Sequence, residues 1–288
     1  MKEALFYKKL KNNLVQCELC PHFCTIKNEE LGKCKVRKNI DGKLYSLSYE
    51  QPVAINIDPI EKKPLYHFLP KTYTFSIGMA GCNLNCGHCQ NYDLSQKSAE
   101  ELKVRPRNSE EIIKMAIKSG CKSISYTYSE PLVSWEYVYD TAKLARENRL
   151  KNIIVSNGFI NPKPLKKLLP LIDAFNIDLK SVSENFYKET CEGKLKPVLE
   201  ALKMIYKKKK HLEITNLIIP TLNDKESDIK KLVSWVKKNL DEKTPLHFSA
   251  FYPCYKLLDI KPTAPEKVIN AVKLAKKMGM KNVHTGNI

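Results

Sequence analysis

The sequence lacks any long apolar run. No stretch approaches the roughly 18 consecutive apolar residues that a membrane-spanning helix needs. The N-terminus, MKEALFYKKLKNNL, also lacks the apolar block and the small-residue cleavage site of a secretory signal. We therefore expect a cytoplasmic protein with no membrane partner.

Arginine is scarce, although the chain is strongly basic. Lysine and arginine number 49 against 31 aspartates and glutamates, a formal net charge of +18, yet only five of the basic residues are arginine. Nucleic-acid-binding proteins usually rely on arginine for bidentate contacts. The lysines are spread along predicted helices, as in residues 203–211, and we interpret them as solvated helix faces. Nucleic-acid binding is therefore not expected, while an acidic partner or substrate stays open.

From residue 72 onward, short apolar runs alternate with amphipathic helical patterns. The predicted strands are residues 72–78, 123–128, 152–156, 174–180, 212–219, 246–252 and 282–286. Capping patterns at Asn108 and Thr263 open two of the intervening helices. Six or seven strand–helix units are fewer than the eight of a closed barrel. The sequence therefore predicts an α/β fold, a partial (β/α)6-type open barrel or an open parallel sheet, with ligands at the carboxyl ends of the strands.

The chain divides into three predicted parts. Residues 1–45 form a cysteine-rich, metal-binding appendage, residues 46–71 form an extended connector with four prolines, and residues 72–288 form the partial barrel. The appendage is small and carries little periodic pattern. A metal would therefore help to hold it together.

The ten cysteines fall mainly into two groups. Thiols stay reduced in the cytosol, so clustered cysteines there favour metal ligation over disulfides. The N-terminal group suits a structural zinc ion or a second iron–sulfur cluster, with zinc slightly favoured and no metal as the remaining alternative. Its members are Cys17, Cys20, Cys24 and Cys34. His22 and His67 are possible extra ligands, although a surface role is the commoner one, and Cys121, Cys191 and Cys254 are interpreted as packing cysteines.

The second group is Cys82, Cys86 and Cys89, directly after the first predicted strand of the barrel. Three thiolates on a [4Fe–4S] cluster leave one iron without a protein ligand, and an open metal position can bind a substrate or cofactor. A zinc site without its fourth ligand is the alternative. His88 adjoins Cys89 and is poorly placed to complete such a site.

The C-x3-C-x2-C spacing of this group resembles the signature of radical S-adenosylmethionine (SAM) enzymes. The resemblance implies a [4Fe–4S] cluster whose open iron binds the amino and carboxylate groups of SAM. Reductive cleavage then gives a 5′-deoxyadenosyl radical that abstracts hydrogen, with a flavodoxin or ferredoxin as electron donor. His88 stands where this family usually has an aromatic residue beside the adenine.

Further residues resemble the SAM sites of radical SAM enzymes and of pyruvate formate-lyase activating enzymes. Glu130, after the second strand, matches the carboxylate that meets the SAM amino group. Ser156 and Asn157, after the third strand, match positions that line the SAM site. Val155 replaces an aspartate of the activating enzymes, which puts a cation site beside SAM in doubt.

The fourth and sixth strands add three matching residues. Asp178 and Lys180 resemble an aspartate near the SAM carboxylate and a lysine that approaches SAM, and a plain ion pair is the alternative. His247 matches a histidine that contacts SAM in the activating enzymes, whereas a lone strand histidine is more often structural.

Three segments together resemble the radical SAM enzyme of the AmmeMemoRadiSam system. They are residues 17–37, 58–68 and 81–91. The resemblance implies an unidentified protein, peptide or metabolite substrate, and the other two proteins of that system as possible partners. Members of the family continue into a tail with paired cysteines, so this chain either lacks that tail or is shortened. The alternatives are a glycyl-radical-enzyme activase and, from another class, a non-enzymatic protein that binds zinc and nucleic acid.

Overall fold

The N-terminal region forms two small antiparallel sheets. The structure is a computed structural model that describes residues 1–102 and 104–288. The first six strands are β1 (Lys2–Glu3), β2 (Tyr7–Lys9), β3 (Val15–Cys17), β4 (Thr25–Ile26), β5 (Arg37–Ile40) and β6 (Lys43–Ser46). They pair in the orders β1-β6-β5 and β2-β3-β4. Short strands of this kind bury little apolar surface by themselves.

The remaining strands form one eight-stranded sheet. Its strands are β7 (Pro52–Pro59), β8 (Tyr73–Met79), β9 (Ser123–Tyr126), β10 (Lys151–Ser156), β11 (Ala174–Asp178), β12 (His211–Ile218), β13 (Leu246–Ala250) and β14 (Val283–Gly286). The order is β14-β13-β12-β11-β10-β9-β8-β7. Strands β8 to β14 run parallel, and β7 pairs antiparallel with β8. Because β7 and β14 are the two ends of this order, the sheet is open, and the predicted partial barrel is confirmed.

The parallel strands are connected by helices. They are α1 (Tyr92–Ser95), α2 (Ser109–Lys118), α3 (Trp135–Glu147), α4 (Pro162–Leu168), α5 (Glu184–Cys191), α6 (Leu195–Lys207), α7 (Glu226–Asn239) and α8 (Pro265–Lys277). Helix α7 buries Ile229, Leu232, Val233 and Val236, the apolar positions at helical spacing. No helix in residues 1–102 and 104–288 is long and apolar enough to cross a bilayer.

The two predicted helix starts have different outcomes. Asn108 caps α2 as predicted, because its side chain accepts the Glu111 N–H at 2.9 Å while the Glu111 carboxylate accepts the Asn108 N–H at 3.1 Å. The predicted cap at Thr263 is wrong. Ala264 is the N-cap of α8, and the Thr263 hydroxyl instead donates to the Ile218 carbonyl at 2.6 Å. That bond ties the segment before α8 to the end of β12.

Residues 52–69 lie within the segment that the sequence predicts as a connector. They contribute β7, and Ile60 and Leu65 then pack in one buried apolar cluster with Ile153 of β10 and Ala174 of β11. Asp58, at the end of β7, accepts Lys63 Nζ at 2.6 Å and the Tyr128 hydroxyl at 2.5 Å. The segment therefore lies against the sheet and holds Tyr128, two residues before Glu130.

Candidate active site

The three-cysteine loop, residues 80–91, follows β8 directly. Gly81 has φ +88°, and a Cβ at this position would lie 2.5 Å from the Cys34 carbonyl oxygen. Glycine is therefore required by both conformation and space. The Cys82 sulfur accepts the Leu84 N–H at 3.4 Å, and the Cys89 sulfur lies 3.2 Å from the Ser95 hydroxyl. The loop and the helix α1 that follows it thus place polar groups beside two of the three sulfurs.

Burial shapes the protonation of the loop thiols. Burial raises the pKa of Cys82 and of Cys89, so a positive partner such as a metal would favour their thiolate forms. The hydrogen bond from Cys191 lowers the pKa of Cys86, and the charge of Lys180 lowers it further. Lys180 therefore favours thiolate in this loop.

Cys191, which the sequence interpretation treats as a packing cysteine, lies beside the loop. The ligand atoms of Cys86, His88 and Cys191 all lie within 4.8 Å of one another. Cys191 ends α5, about a hundred residues after the loop. No spacing pattern connects the two positions, so only the folded chain reveals this neighbour.

His88 carries two unpartnered nitrogens. It is buried, and neither ring nitrogen has a hydrogen-bond partner within residues 1–102 and 104–288. Burial, together with the charge of Lys180, lowers its pKa to about 3. The imidazole is therefore neutral at physiological pH. Polar atoms buried without a partner destabilise a protein, and a bound ligand would relieve that cost.

Glu130 connects the carboxyl ends of β9 and β10. Its carboxylate accepts the Ser156 hydroxyl at 2.8 Å, the Asn157 N–H at 2.8 Å and the Leu132 N–H at 3.0 Å. Burial nevertheless raises its pKa to about 7. A buried carboxylate in this state gains strongly from a nearby cation.

Asn157 extends this connection to the loop. Its side-chain amide donates to Asn83 Oδ1 at 2.9 Å and lies 3.5 Å from the Cys82 sulfur. Glu130, Asn157 and Cys82 therefore form one continuous polar path across the ends of three neighbouring strands.

Asp178 and Lys180 lie at the end of the next strand, β11. Lys180 Nζ is 2.9 Å from Asp178 Oδ2, and the lysine side chain is only 14% exposed. Asn216 of β12, which the sequence interpretation missed, donates to the Leu179 carbonyl at 2.8 Å and to the Lys180 carbonyl at 3.1 Å. Its buried Oδ1 has no partner in the described part of the chain. An unpartnered oxygen near Lys180 is the kind of atom that a ligand can satisfy.

Comparison with known proteins identifies the family. The model of the radical SAM superfamily matches residues 76–236, more than half of the chain. The chain belongs to the radical SAM superfamily. Enzymes of this superfamily use a [4Fe–4S] cluster and SAM, so membership supports the prediction that this protein is an enzyme.

Two relatives and one solved structure illustrate what the chain is similar to. An uncharacterized protein of Methanocaldococcus jannaschii is 46% identical over the whole chain and 86% of the relative. The pyruvate formate-lyase-activating enzyme of Clostridium pasteurianum is 27% identical over 69% of the chain and 88% of the relative. A crystal structure of a radical SAM methyltransferase from Sphaerobacter thermophilus has a TM-score of 0.59 at 12% identity, covering 76% of this chain and 67% of that one.

The donor set fits the cofactors that radical SAM enzymes use. Cys82, Cys86 and Cys89 are the thiols that would hold the cluster. His88 and Asn216 offer unpartnered atoms, and Glu130 offers a carboxylate for a cation. These features lie where successive strands end, as expected for a ligand site of a parallel sheet.

His247 lies elsewhere in this radical SAM fold. It is the second residue of β13 and so lies near the amino end of that strand, where its Nε2 is 2.7 Å from Glu213 Oε2. Glu213 also lies 2.9 Å from His211, and His284 stacks on His247 with ring centroids 5.0 Å apart. We call His67, His211, His247, His284 and Glu213 the basal histidine cluster. The structure does not bring His247 together with the three-cysteine loop.

The N-terminal thiols, Cys17, Cys20, Cys24 and Cys34, line one enclosed cavity. His22 also lines this cavity, and its Nε2 lies 2.7 Å from the Asn83 carbonyl oxygen. His67 instead lies in the basal histidine cluster, with its Nε2 2.8 Å from His284 Nε2. Of the two histidines considered as extra ligands, only His22 is beside these thiols.

Proposed function

We propose that this protein reductively cleaves SAM and uses the resulting radical to abstract hydrogen from an unidentified protein, peptide or metabolite. The observation that carries the proposal is the polar path from Cys82 through Asn157 to Glu130. It connects the loop that would hold the cluster to the carboxylate that would hold SAM. When bound, the [4Fe–4S] cluster and SAM supply the electron transfer and the 5′-deoxyadenosyl radical.

The residues around the loop would position SAM. The Glu130 carboxylate binds the ammonium group, because burial strengthens a charge-assisted hydrogen bond. Ser156 and Asn157 hold that carboxylate in place through their hydrogen bonds. The neutral His88 ring offers a flat surface for the adenine.

Lys180 and Asp178 would act at the other end of SAM. Lys180 offers its ammonium group to the SAM carboxylate, and Asp178 orients it through the 2.9 Å contact. Asp178 could also face a monovalent cation, but Val155 supplies no oxygen for such a site. The ion pair is therefore the role that we assign to Asp178.

The electron donor and the biological setting are part of the same proposal. A flavodoxin or ferredoxin supplies the electron in the cytoplasm, and the other two proteins of the AmmeMemoRadiSam system are candidate partners. The resemblance of residues 17–37, 58–68 and 81–91 to that system supports this assignment. Membership in the radical SAM superfamily argues against a non-enzymatic zinc protein that binds nucleic acid.

Activation of a glycyl-radical enzyme is the second candidate function. The similarity to the pyruvate formate-lyase-activating enzymes of Clostridium pasteurianum and Streptococcus mutans, at 27% and 24% identity, favours it. An activase leaves a stable glycyl radical on its protein partner, so electron paramagnetic resonance of mixtures with candidate partners tests this alternative.

Anaerobic SAM cleavage tests the main proposal. The reconstituted protein should bind about four irons at the three-cysteine loop and release 5′-deoxyadenosine when a strong reductant is added. Cys86→Ala should abolish this release, because the remaining two thiolates do not hold the cluster. Cys121→Ala is the matched control, since Cys121 is buried before β9 and should leave cleavage unchanged. Wild-type cleavage by Cys86→Ala would contradict the cluster assignment.

A further inference from the structure

The N-terminal thiols meet although they come from separate parts of the first 34 residues. Cys17 ends β3, Cys20 and Cys24 lie in the turn that leads to β4, and Cys34 lies between β4 and β5. The remaining wall of their cavity is largely apolar and includes Leu19, Ile26 and Val133. A site whose donor atoms are mainly thiol sulfurs disfavours hard, oxygen-preferring cations.

Arg37 supplies an unpartnered donor at the same cavity. It is 1% exposed, its Nη2 donates to Glu136 at 2.6 Å, and its Nε donates to the Val133 carbonyl at 3.2 Å. Its Nη1 has no partner within residues 1–102 and 104–288. Leaving a guanidinium N–H buried without an acceptor is costly. Thiolates in the cavity that Arg37 lines would supply that acceptor.

The cavity adjoins the three-cysteine loop. The Cys34 carbonyl packs on Gly81, next to Cys82, with no room for a Cβ between them. His22 contacts the Asn83 carbonyl on the other side of Cys82 at 2.7 Å. The N-terminal region thus contacts the residues on both sides of Cys82.

We propose that the N-terminal thiols bind a second, thiolate-ligated metal centre and that this centre braces the three-cysteine loop. Arg37 Nη1 donates a hydrogen bond to a bound thiolate. The centre does not depend on SAM cleavage, so it can be tested in a protein that cannot perform that reaction.

Metal analysis of a full-length variant isolates the second centre. Cys82, Cys86 and Cys89 are changed to alanine, and the protein is loaded anaerobically either with zinc alone or with iron and sulfide. The variant should retain about four irons or one zinc per chain. Adding Cys20→Ser and Cys24→Ser should remove the metal, whereas adding Cys254→Ser should not. Retention in the zinc arm or in the iron and sulfide arm identifies the metal that the site takes, and equal metal content with and without Cys20 and Cys24 would overturn the site.

Arg37→Lys tests the donor without removing a sulfur. In the same triple-alanine background, lysine keeps the charge beside Glu136 but lacks the planar fork. The metal should become about 10–100-fold easier to remove with a chelator, as expected for a residue that orients metal ligands. Unchanged chelator resistance would overturn the role of Arg37.

Hydrogen exchange tests the bracing of the loop. Chelation of the second centre in the triple-alanine variant should speed amide exchange in residues 80–91, while α7 should exchange as before. Because no residue of the N-terminal region is changed, misfolding of a variant does not confuse the result. Metal loss without faster exchange in the loop would overturn the bracing role.

Discussion

The N-terminal thiols and the three-cysteine loop are both clusters of cysteines, but their surroundings differ. The N-terminal set has four thiols, apolar walls and one buried guanidinium. The loop has three thiols and, around them, His88, Glu130 and Lys180, whose polar groups are either unpartnered or strongly shifted in pKa. Four ligands close a metal site, whereas three ligands leave one coordination position open to a substrate.

Glu130→Gln should have the largest effect on the ligand site beside the three-cysteine loop. The substitution keeps the shape but removes the charge that would face the SAM ammonium. Loss of a hydrogen bond to a charged group, about 1.5–3 kcal/mol, weakens SAM binding about 10–100-fold. Anaerobic titration calorimetry with the reconstituted protein measures this. Cys121→Ala serves as the control, and unchanged SAM affinity in Glu130→Gln would remove Glu130 from the site.

The pH dependence of SAM binding is a second test of the Glu130 carboxylate. The pKa of Glu130 is raised to about 7 in the folded chain. SAM prefers the ionised carboxylate, so its affinity should fall about tenfold per pH unit as the pH drops below about 7. Calorimetry between about pH 8 and pH 6 in Glu130→Gln should show a flatter profile. A slope that survives in this variant would point to another group.

Removal of the basal histidine cluster should affect stability rather than SAM binding. Burial raises the pKa of Glu213, but hydrogen bonds from His211, His247 and two backbone N–H groups outweigh it and lower the pKa to about 2. The depressed pKa of a carboxyl group stabilises the fold above its unfolded value of 4.5, and this contribution is lost as pH falls toward about 2. Burial lowers the pKa of His284 from 6.5 to about 4. The unfolded chain therefore binds this proton more readily than the folded chain, and the free energy of unfolding falls as the pH drops from about 6.5 to about 4.

Glu213→Gln tests this contribution. It should lower the free energy of unfolding near pH 7 by about 1–3 kcal/mol, because Glu213 is a buried acceptor of several hydrogen bonds. Between pH 4.5 and about 2, the free energy of unfolding of this variant should also fall less steeply with decreasing pH than that of the wild type. Urea unfolding across this range measures both effects. A parallel shift of the two pH profiles would contradict the carboxylate role.

His88→Phe should have the smallest effect. Phenylalanine keeps a flat ring for the adenine and removes two nitrogens that have no partner in the described chain. We expect SAM affinity within about threefold of the wild type, less than the tenfold that 1.4 kcal/mol would give, and slightly higher stability of the SAM-free protein. Thermal unfolding and calorimetry measure the two quantities. A large loss of SAM affinity would show that a ring nitrogen, rather than the ring face, meets the ligand.

Local sequence signals predicted what depends on neighbouring residues. The spacing of Cys82, Cys86 and Cys89 and the capping box at Asn108 are both set within a few residues, and the alternation of strands and helices gave the partial barrel. Side-chain contacts between distant segments left no such signal. Cys191 reaches Cys86 from the end of α5, and Asn216 reaches Lys180 from another strand.

His247 shows a subtler failure of sequence reasoning. Its strand was predicted correctly. A match to a family position, however, does not show whether the residue lies near the amino or the carboxyl end of that strand. Because β13 begins at Leu246, the side chain lies near the amino end, where Glu213 is 2.7 Å away. Ligands of parallel sheets gather at the opposite ends of the strands. The role of His247 in SAM binding therefore stays a prediction that its position does not favour.

The contact between Gly81 and the Cys34 carbonyl makes the two cysteine groups neighbours that cannot be altered independently. A single added methyl group at Gly81 would push on the backbone of one group and bend the loop of the other. An engineer who exchanged the N-terminal region for that of a distant relative would also have to reproduce the path of its chain across Gly81. The first 46 residues thus help to shape the three-cysteine loop and are not an interchangeable attachment.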